Sequence, residues 1–138
     1  MTQQQLDAFL DEVHVGIIVT IGRDGMPNPQ PIWYLHRGGA FYISTERSSV
    51  KGKNIARDPR ISICIQQETI PYKSVTVWGT ASVSAHDKQV SRDITVRNLG
   101  ERGADAYLGD GEGTPESILI TLRPDRTYSQ DYTSDFGG

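Results

Sequence analysis

Phe41-Tyr-Ile-Ser-Thr-Glu-Arg-Ser-Ser-Val-Lys-Gly-Lys-Asn-Ile-Ala-Arg-Asp-Pro59 places a strand, a turn and a short helix in direct succession. Residues 40–45 have the aromatic and β-branched bias of a strand. Ser48 or Ser49 can cap a helix, which the Asp58-Pro59 pair must stop. The first turn of such a helix offers free backbone N–H groups and the positive end of the helix dipole. Lys51 and Lys53 add full positive charges there, and Thr45, Ser48, Ser49 and Arg47 add hydrogen-bond donors. Two readings follow: a capped helix with a solvated basic face, or a phosphate site at a strand-to-helix turn.

Length and charge limit what such a site can serve. The 138 residues fit one domain, spanning 1–138, with a hydrophobic core of its own. With 36% hydrophobic and 22% charged residues, the composition is that of a globular chain, and the net charge of −3 gives no bulk attraction to nucleic acid or anionic membrane. Any positive site is therefore local. No apolar run is long enough to span a bilayer, and Met-Thr-Gln-Gln-Gln lacks the basic-then-apolar order of a signal peptide, so a cytoplasmic location is expected. The single cysteine, Cys64, excludes an intrachain disulfide, and its alternation with Ile63 and Ile65 marks it as a strand residue.

Working outward, Leu6, Phe9, Leu10 and Val13 form the stripe of an amphipathic helix, and Thr2 with Gln5 matches a capping box. Residues 14–21 are a β-branched strand closed by the Asp24-Gly25 turn. The next strand, 27–36, carries prolines at 27, 29 and 31 and belongs at an edge or against a ligand. Residues 60–67 and 74–84 alternate as half-buried strands, with Gly79 marking a bulge or a close backbone approach. A helix over 87–102, ended by Gly100 and Gly103, is expected on the outside, followed by an acidic loop and a last strand over 117–122. The count is six strands with helices inserted at 48–58 and 87–102. The fold class is mainly β, a small closed or split antiparallel barrel.

The ordered segments Val15-Gly-Ile-Ile-Val-Thr20, Pro29-Gln-Pro-Ile-Trp-Tyr34, Phe41-Tyr-Ile-Ser-Thr45, Lys51-Gly-Lys-Asn-Ile55 and Val77-Trp-Gly-Thr-Ala81 resemble the pyridoxamine 5′-phosphate oxidase-related split-barrel superfamily. The likeness runs from about Leu6 to about Tyr132, and it is greatest toward the small deazaflavin (F420)-dependent reductases. It implies a homodimer of six-stranded split barrels with two cofactors at the subunit interface, the cofactor phosphate resting on the strand-to-helix turn. Carried over by position, the resemblance gives Thr45 and Lys51 as phosphate contacts, flanked by Ser44 and Ser49. It sets Pro31, Ile32 and Trp33 beside the tricyclic ring, and Lys53, Arg57 or Arg47 near the anionic tail of F420. Trp78 lies in a strand that contributes near the interface in relatives, and it reads equally well as a core or interface aromatic. Val50 stands where phosphate-oxidase relatives carry an arginine, which argues against a standard FMN phosphate clamp.

Three functions remain open on this basis. One is F420-dependent hydride transfer to a small, electron-poor organic substrate. Another is an FMN-dependent oxidase or reductase. The last is a non-catalytic flavin or deazaflavin carrier, or a nucleic-acid-binding barrel, and the acidic balance argues against nucleic acid. None of these needs a protein nucleophile or a metal. His14, His36 and His86 lack ligand spacing, and Gly109-Asp-Gly-Glu-Gly113 does not join a strand to a helix in a βαβ unit. No catalytic residue is assigned.

Overall fold

The computed structural model describes residues 1–136. Helix α1 (Gln3–Asp11) leads into β1 (Gly16–Ile21), β2 (Pro27–Ile32), β3 (Leu35–Arg37) and β4 (Ala40–Glu46). Helix α2 (Val50–Arg57), β5 (Arg60–Gln67), β6 (Lys73–Ala85), α3 (Lys88–Leu108), β7 (Ser117–Leu122), β8 (Arg126–Asp131) and a 3₁₀ turn (Thr133–Phe136) follow. Every strand pair is antiparallel, in the spatial order β2-β1-β5-β6-β7-β4-β3, with β8 also on β6.

Eight strand segments stand where the sequence predicts six, for two local reasons. The predicted strand 27–36 breaks at Trp33-Tyr34, so β2 ends one edge of the sheet and β3 the other. Its two halves are covalently continuous, and the open sheet therefore returns toward itself only at that link. The second addition is β8, which follows the last predicted strand, 117–122. Strands β7 and β8 both run along β6, and between the pairs Ala81–Leu122 and Trp78–Arg126 the residues Gly79 and Thr80 face the three residues 123–125. That mismatch is a bulge, and a Cβ on Gly79 would fall 2.9 Å from Leu122 Cδ1 and 3.2 Å from the Arg123 carbonyl oxygen. The anticipated close approach at Gly79 is present.

The edge position of β2 follows from its prolines. Pro27, Pro29 and Pro31 pair with Ile21, Val19 and Ile17 in register, and their nitrogens have no proton to give. They fit only where alternate backbone groups face away from the sheet. The core lies inside the curved sheet, where alternate residues such as Ile18, Ile63, Val75, Phe41 and Ile120 are buried.

Helix α1 begins with the expected capping box: the Thr2 hydroxyl accepts from the Gln5 amide at 3.1 Å, and Gln5 Oε1 accepts from the Thr2 amide at 2.8 Å. Phe9 and Leu10 are buried, but the helix ends at Asp11, and Val13 of the predicted stripe is exposed. Arg97 of α3 holds that end, donating to the carbonyls of Asp11 at 3.0 Å and Glu12 at 2.8 Å and lying over the Tyr34 ring. Burial pushes the Tyr34 phenol up to about 12, with Arg97 opposing the shift.

Helix α3 runs past the predicted end. Gly100 adopts φ 75° and ψ 175°, a conformation only glycine takes easily, and it separates one helical run from a second that reaches Leu108. Arg92 bridges the break through Glu101 at 2.8 Å and Asp105 at 2.9 Å. No helix among the described residues is long and apolar enough to cross a membrane.

Helix α2 is held to the sheet by a buried polar pair. Asn54 Nδ2 donates to the Thr20 hydroxyl at 3.0 Å, and the Asn54 Oδ1 accepts from Arg57 at 3.0 Å. Asn54→Ala leaves the fully buried Thr20 oxygen unpaired, so an expected loss of about 1 to 3 kcal/mol should move the urea midpoint at constant slope. An unmoved midpoint would show that α2 is held by its apolar contacts alone.

Candidate functional site

The turn between β4 and α2 is built by one hydroxyl. Ser49, with extended backbone, caps α2: its Oγ accepts from the Gly52 amide at 3.0 Å and donates to the Glu46 carbonyl at 2.7 Å. A hydroxyl has one proton, so the 3.2 Å contact with Thr45 is one in which Thr45 donates. Of the two predicted caps, Ser49 is the one used. Its hydrogen-bonding capacity is taken up by the turn, whereas the Thr45 oxygen keeps acceptor capacity and can redirect its proton.

Lys51 follows one residue into the helix and is half-buried. Its ammonium donates to the neutral Gln30 amide oxygen at 3.3 Å, and no ion pair to it occurs among the described residues. Desolvation by burial lowers its pKa from the ordinary lysine value. A half-buried cation facing a neutral amide is suited to pairing with an anion.

That ammonium opens onto a cavity of about 230 Å³ between β2, β4 and α3. Pro31, Ile32 and Trp33 form one wall, Ile43 and Ser44 of β4 another, and Ser91, Ile94, Thr95, Tyr107 and Leu108 of α3 the cover. A second cavity of about 330 Å³ continues over Val15, Pro31, Ile32, Trp33 and Tyr107. A third, of about 350 Å³, runs from Ser44, Thr45 and Glu46 past His86 to Gly111, Thr114 and Ser117. Shared walls make these one groove along the split in the sheet.

The structure brings together Pro31, Ile32, Trp33, Ser44 and Lys51 of the sequence-predicted set, with Thr45 and Ser49 at the adjoining turn. Lys53 is not among them. Two residues apart on a helix is a rotation of about 200°, so Lys53 points to the other side of α2. There it lines a separate recess of about 430 Å³ with Arg23, Asp24 and Arg57. Trp78 lies outside both: it alternates with buried Val77 on β6, and the Arg126 guanidinium sits 4.1 Å from its ring centroid.

Sequence reasoning missed the α3 cover. Ser91 and Thr95 are buried, and the Thr95 hydroxyl donates back to the Ser91 carbonyl at 2.8 Å. The legible signal was small polar residues at i and i+4 around Ile94, on a helix whose apolar stripe looked too thin. His14 meets Glu12 at 2.9 Å and His36 meets Asp11 at 3.1 Å, while His86, at the third chamber, donates to the Gly111 carbonyl at 2.8 Å.

Residues 2–131 match the family model described as pyridoxamine 5′-phosphate oxidase. The chain belongs to this family. Oxidoreductases are among its members. No curated protein matches the chain. Among solved structures, it is similar to a conserved hypothetical protein from Mycobacterium tuberculosis, with TM-score 0.78 and 23% identity over 96% of this chain and 86% of that one. An F420 reductase gives TM-score 0.74 and 19% identity, covering 88% and 94% of the two chains. A putative pyridoxamine 5′-phosphate oxidase from Listeria innocua gives 0.71 and 19%, covering 96% and 99%. At these identities the likeness is one of fold.

Proposed function

We propose that this protein is a deazaflavin-dependent oxidoreductase that transfers a hydride between F420 and a small, electron-poor organic substrate. The observation that carries the reading is Lys51: a half-buried ammonium that donates to a neutral amide and has no ion pair among the described residues, in a cavity walled by Pro31, Ile32 and Trp33. These residues fit a phosphate-bearing tricyclic cofactor. Lys51 and Thr45 would hold the phosphate, Ser44 and Ser49 would flank it, and the proline-rich edge of β2 would lie beside the ring. When bound, the cofactor supplies the hydride chemistry; the chain orients the ring and keeps water from one face of it.

The recess beyond α2 favours F420 over FMN. Arg23, Lys53 and Arg57 gather there against the single carboxylate of Asp24, a net positive site suited to an acidic tail that FMN lacks. A homodimer completes the reading. The outer face of the sheet presents half-buried Ile17, Val19 and Ile21, and Trp78 stands on the same side of β6. A second copy set against that face would bury Trp78 at the subunit interface, one of the two placements its position in the sequence allows.

Side-by-side fluorescence titrations of the cofactor-free protein with F420 and FMN test this. F420 is expected to bind at least tenfold more tightly at low salt, with the gap narrowing as salt screens the tail. Preference for FMN would move the protein to flavin chemistry, and binding of neither would overturn the cofactor site.

A further inference from the structure

The two runs of α3 are anchored by different forces. The first buries Ser91, Ile94 and Thr95, whereas over residues 101–116 only Ala104 and Gly111 are buried. A segment with so little buried surface opens at lower free energy than the core beneath it. Polar ties hold it instead. Arg92 reaches across the break to Glu101 at 2.8 Å and Asp105 at 2.9 Å, Lys88 reaches Glu112 at 2.8 Å, and His86 donates to the Gly111 carbonyl at 2.8 Å. All three donors precede the break, and all their acceptors follow it. The segment is also bounded by glycine on both sides. Gly100, at φ 75° and ψ 175°, occupies a region essentially closed to other residues, and Gly109, Gly111 and Gly113 have φ of 58°, 74° and 70°. Beyond them the Glu116 carbonyl accepts from the Arg47 amide at 2.6 Å, which fixes the far end to the turn between β4 and α2. Between these ends, Tyr107 borders all three chambers of the groove and Leu108 two of them.

We propose that residues 101–113 are a lid over the groove, turning on Gly100 and on the glycines at 109–113, and latched shut by His86, Lys88 and Arg92. That the lid admits a cofactor rests on the oxidoreductase reading; that it opens does not. Lys88, Arg92 and the three carboxylates they hold line none of the chambers, so the ion-pair part of the latch acts without touching an occupant. A latch that makes the same contacts over an empty and a filled groove has no preference between them. Loosening it therefore speeds entry and exit by a common factor and leaves the affinity where it was. A residue that contacts the ligand instead changes the affinity, mostly through the exit rate.

Hydrogen exchange read by mass spectrometry on the full, cofactor-free chain tests the lid by itself. Amides of 101–108 are expected to exchange faster than those of 88–99. Glu101→Gln with Asp105→Asn, at two exposed positions, should speed 101–108 by roughly threefold more and leave 88–99 unchanged. Stopped-flow fluorescence with F420 and with FMN then reads the gate. Association and dissociation rates should both rise by roughly threefold in that variant, with Kd held within about twofold. Arg92→Gln changes the net charge in the opposite direction and should give the same shared rise, which separates the gate from charge steering. Equal exchange in the two runs of the parent, acceleration of all of α3 in the variant, or unmoved on- and off-rates would each overturn the lid. A weaker Kd at an unchanged on-rate would also overturn it, by making Glu101 and Asp105 ligand contacts. Binding of neither F420 nor FMN would overturn the oxidoreductase reading, and the exchange measurement would still judge the lid.

Discussion

Gly52→Ala is expected to destabilise the protein by about 2 to 3 kcal/mol, lowering its melting temperature by roughly 10 °C, although alanine is the better helix former. Position 52 is inside α2, where replacing glycine by alanine ordinarily gains up to about 1 kcal/mol. Here an added Cβ would fall 2.5 Å from the Glu46 carbonyl oxygen, 2.9 Å from that of Arg47 and 3.0 Å from Ser49 Oγ. The first two are backbone atoms of the turn itself and cannot swing aside like a side chain. The helix must lift or the turn must open, and either motion breaks the Ser49 cap and its bond to Glu46. Steric cost therefore outweighs propensity. Scanning calorimetry of the variant decides the sign, and a melting temperature at or above that of the parent would mean that the turn gives way cheaply.

Lys51→Met is expected to act in opposite directions on stability and on binding. Cofactor affinity should fall by about 1 to 3 kcal/mol, roughly five- to 150-fold in Kd, through loss of a charge-assisted phosphate contact. The cofactor-free protein should be as stable as the parent at neutral pH, or more so. Burial lowers the pKa of this ammonium, so the folded chain holds its proton less tightly than the unfolded chain does. The resulting penalty is present at neutral pH and fades as pH rises through the folded pKa toward the ordinary lysine value. Parent and variant should thus converge in stability toward alkaline pH. Thermal melts at neutral and alkaline pH, with and without cofactor, separate the two effects. Unchanged cofactor affinity would remove Lys51 from the phosphate site.

Local chemistry accounts for what could be read in advance. Thr2 and Gln5, Ser49, the Asp24-Gly25 turn and Gly79 each act within a few residues of themselves or through a single steric requirement, and each appears where the sequence implies. The alternation of Ile61, Ile63 and Ile65 settles which face of β5 is buried, because a strand has a period of two. The break at Trp33-Tyr34 was not legible. Both residues suit a strand, and the break arises because the chain passes there from one edge of the sheet to the other. Helix α3 extends beyond the expected 102 to Leu108 for a similar reason, since Gly100 interrupts the helix and Arg92 ties the second run to the first from nine and thirteen residues away.

The sequence by itself determined β1, β4, β5, β6 and β7, the caps and turns, and the strand-to-helix turn that presents Thr45, Ser49 and Lys51, and it left the proline-bearing β2 an edge or a ligand to lie against. These follow from periodicity, from a missing amide proton and from capping, all of which act over one or two turns of chain. Only the tertiary structure decided which cation faces the cavity and what closes it. Lys51 and Lys53 look equivalent in sequence, yet about 200° of helical rotation sends one to Gln30 and the other to Arg23 and Arg57. The opposing wall comes from β2 and the cover from Ser91, Thr95 and Tyr107, brought together because tertiary packing sets the edge strand β2, β4 and helix α3 around a common space.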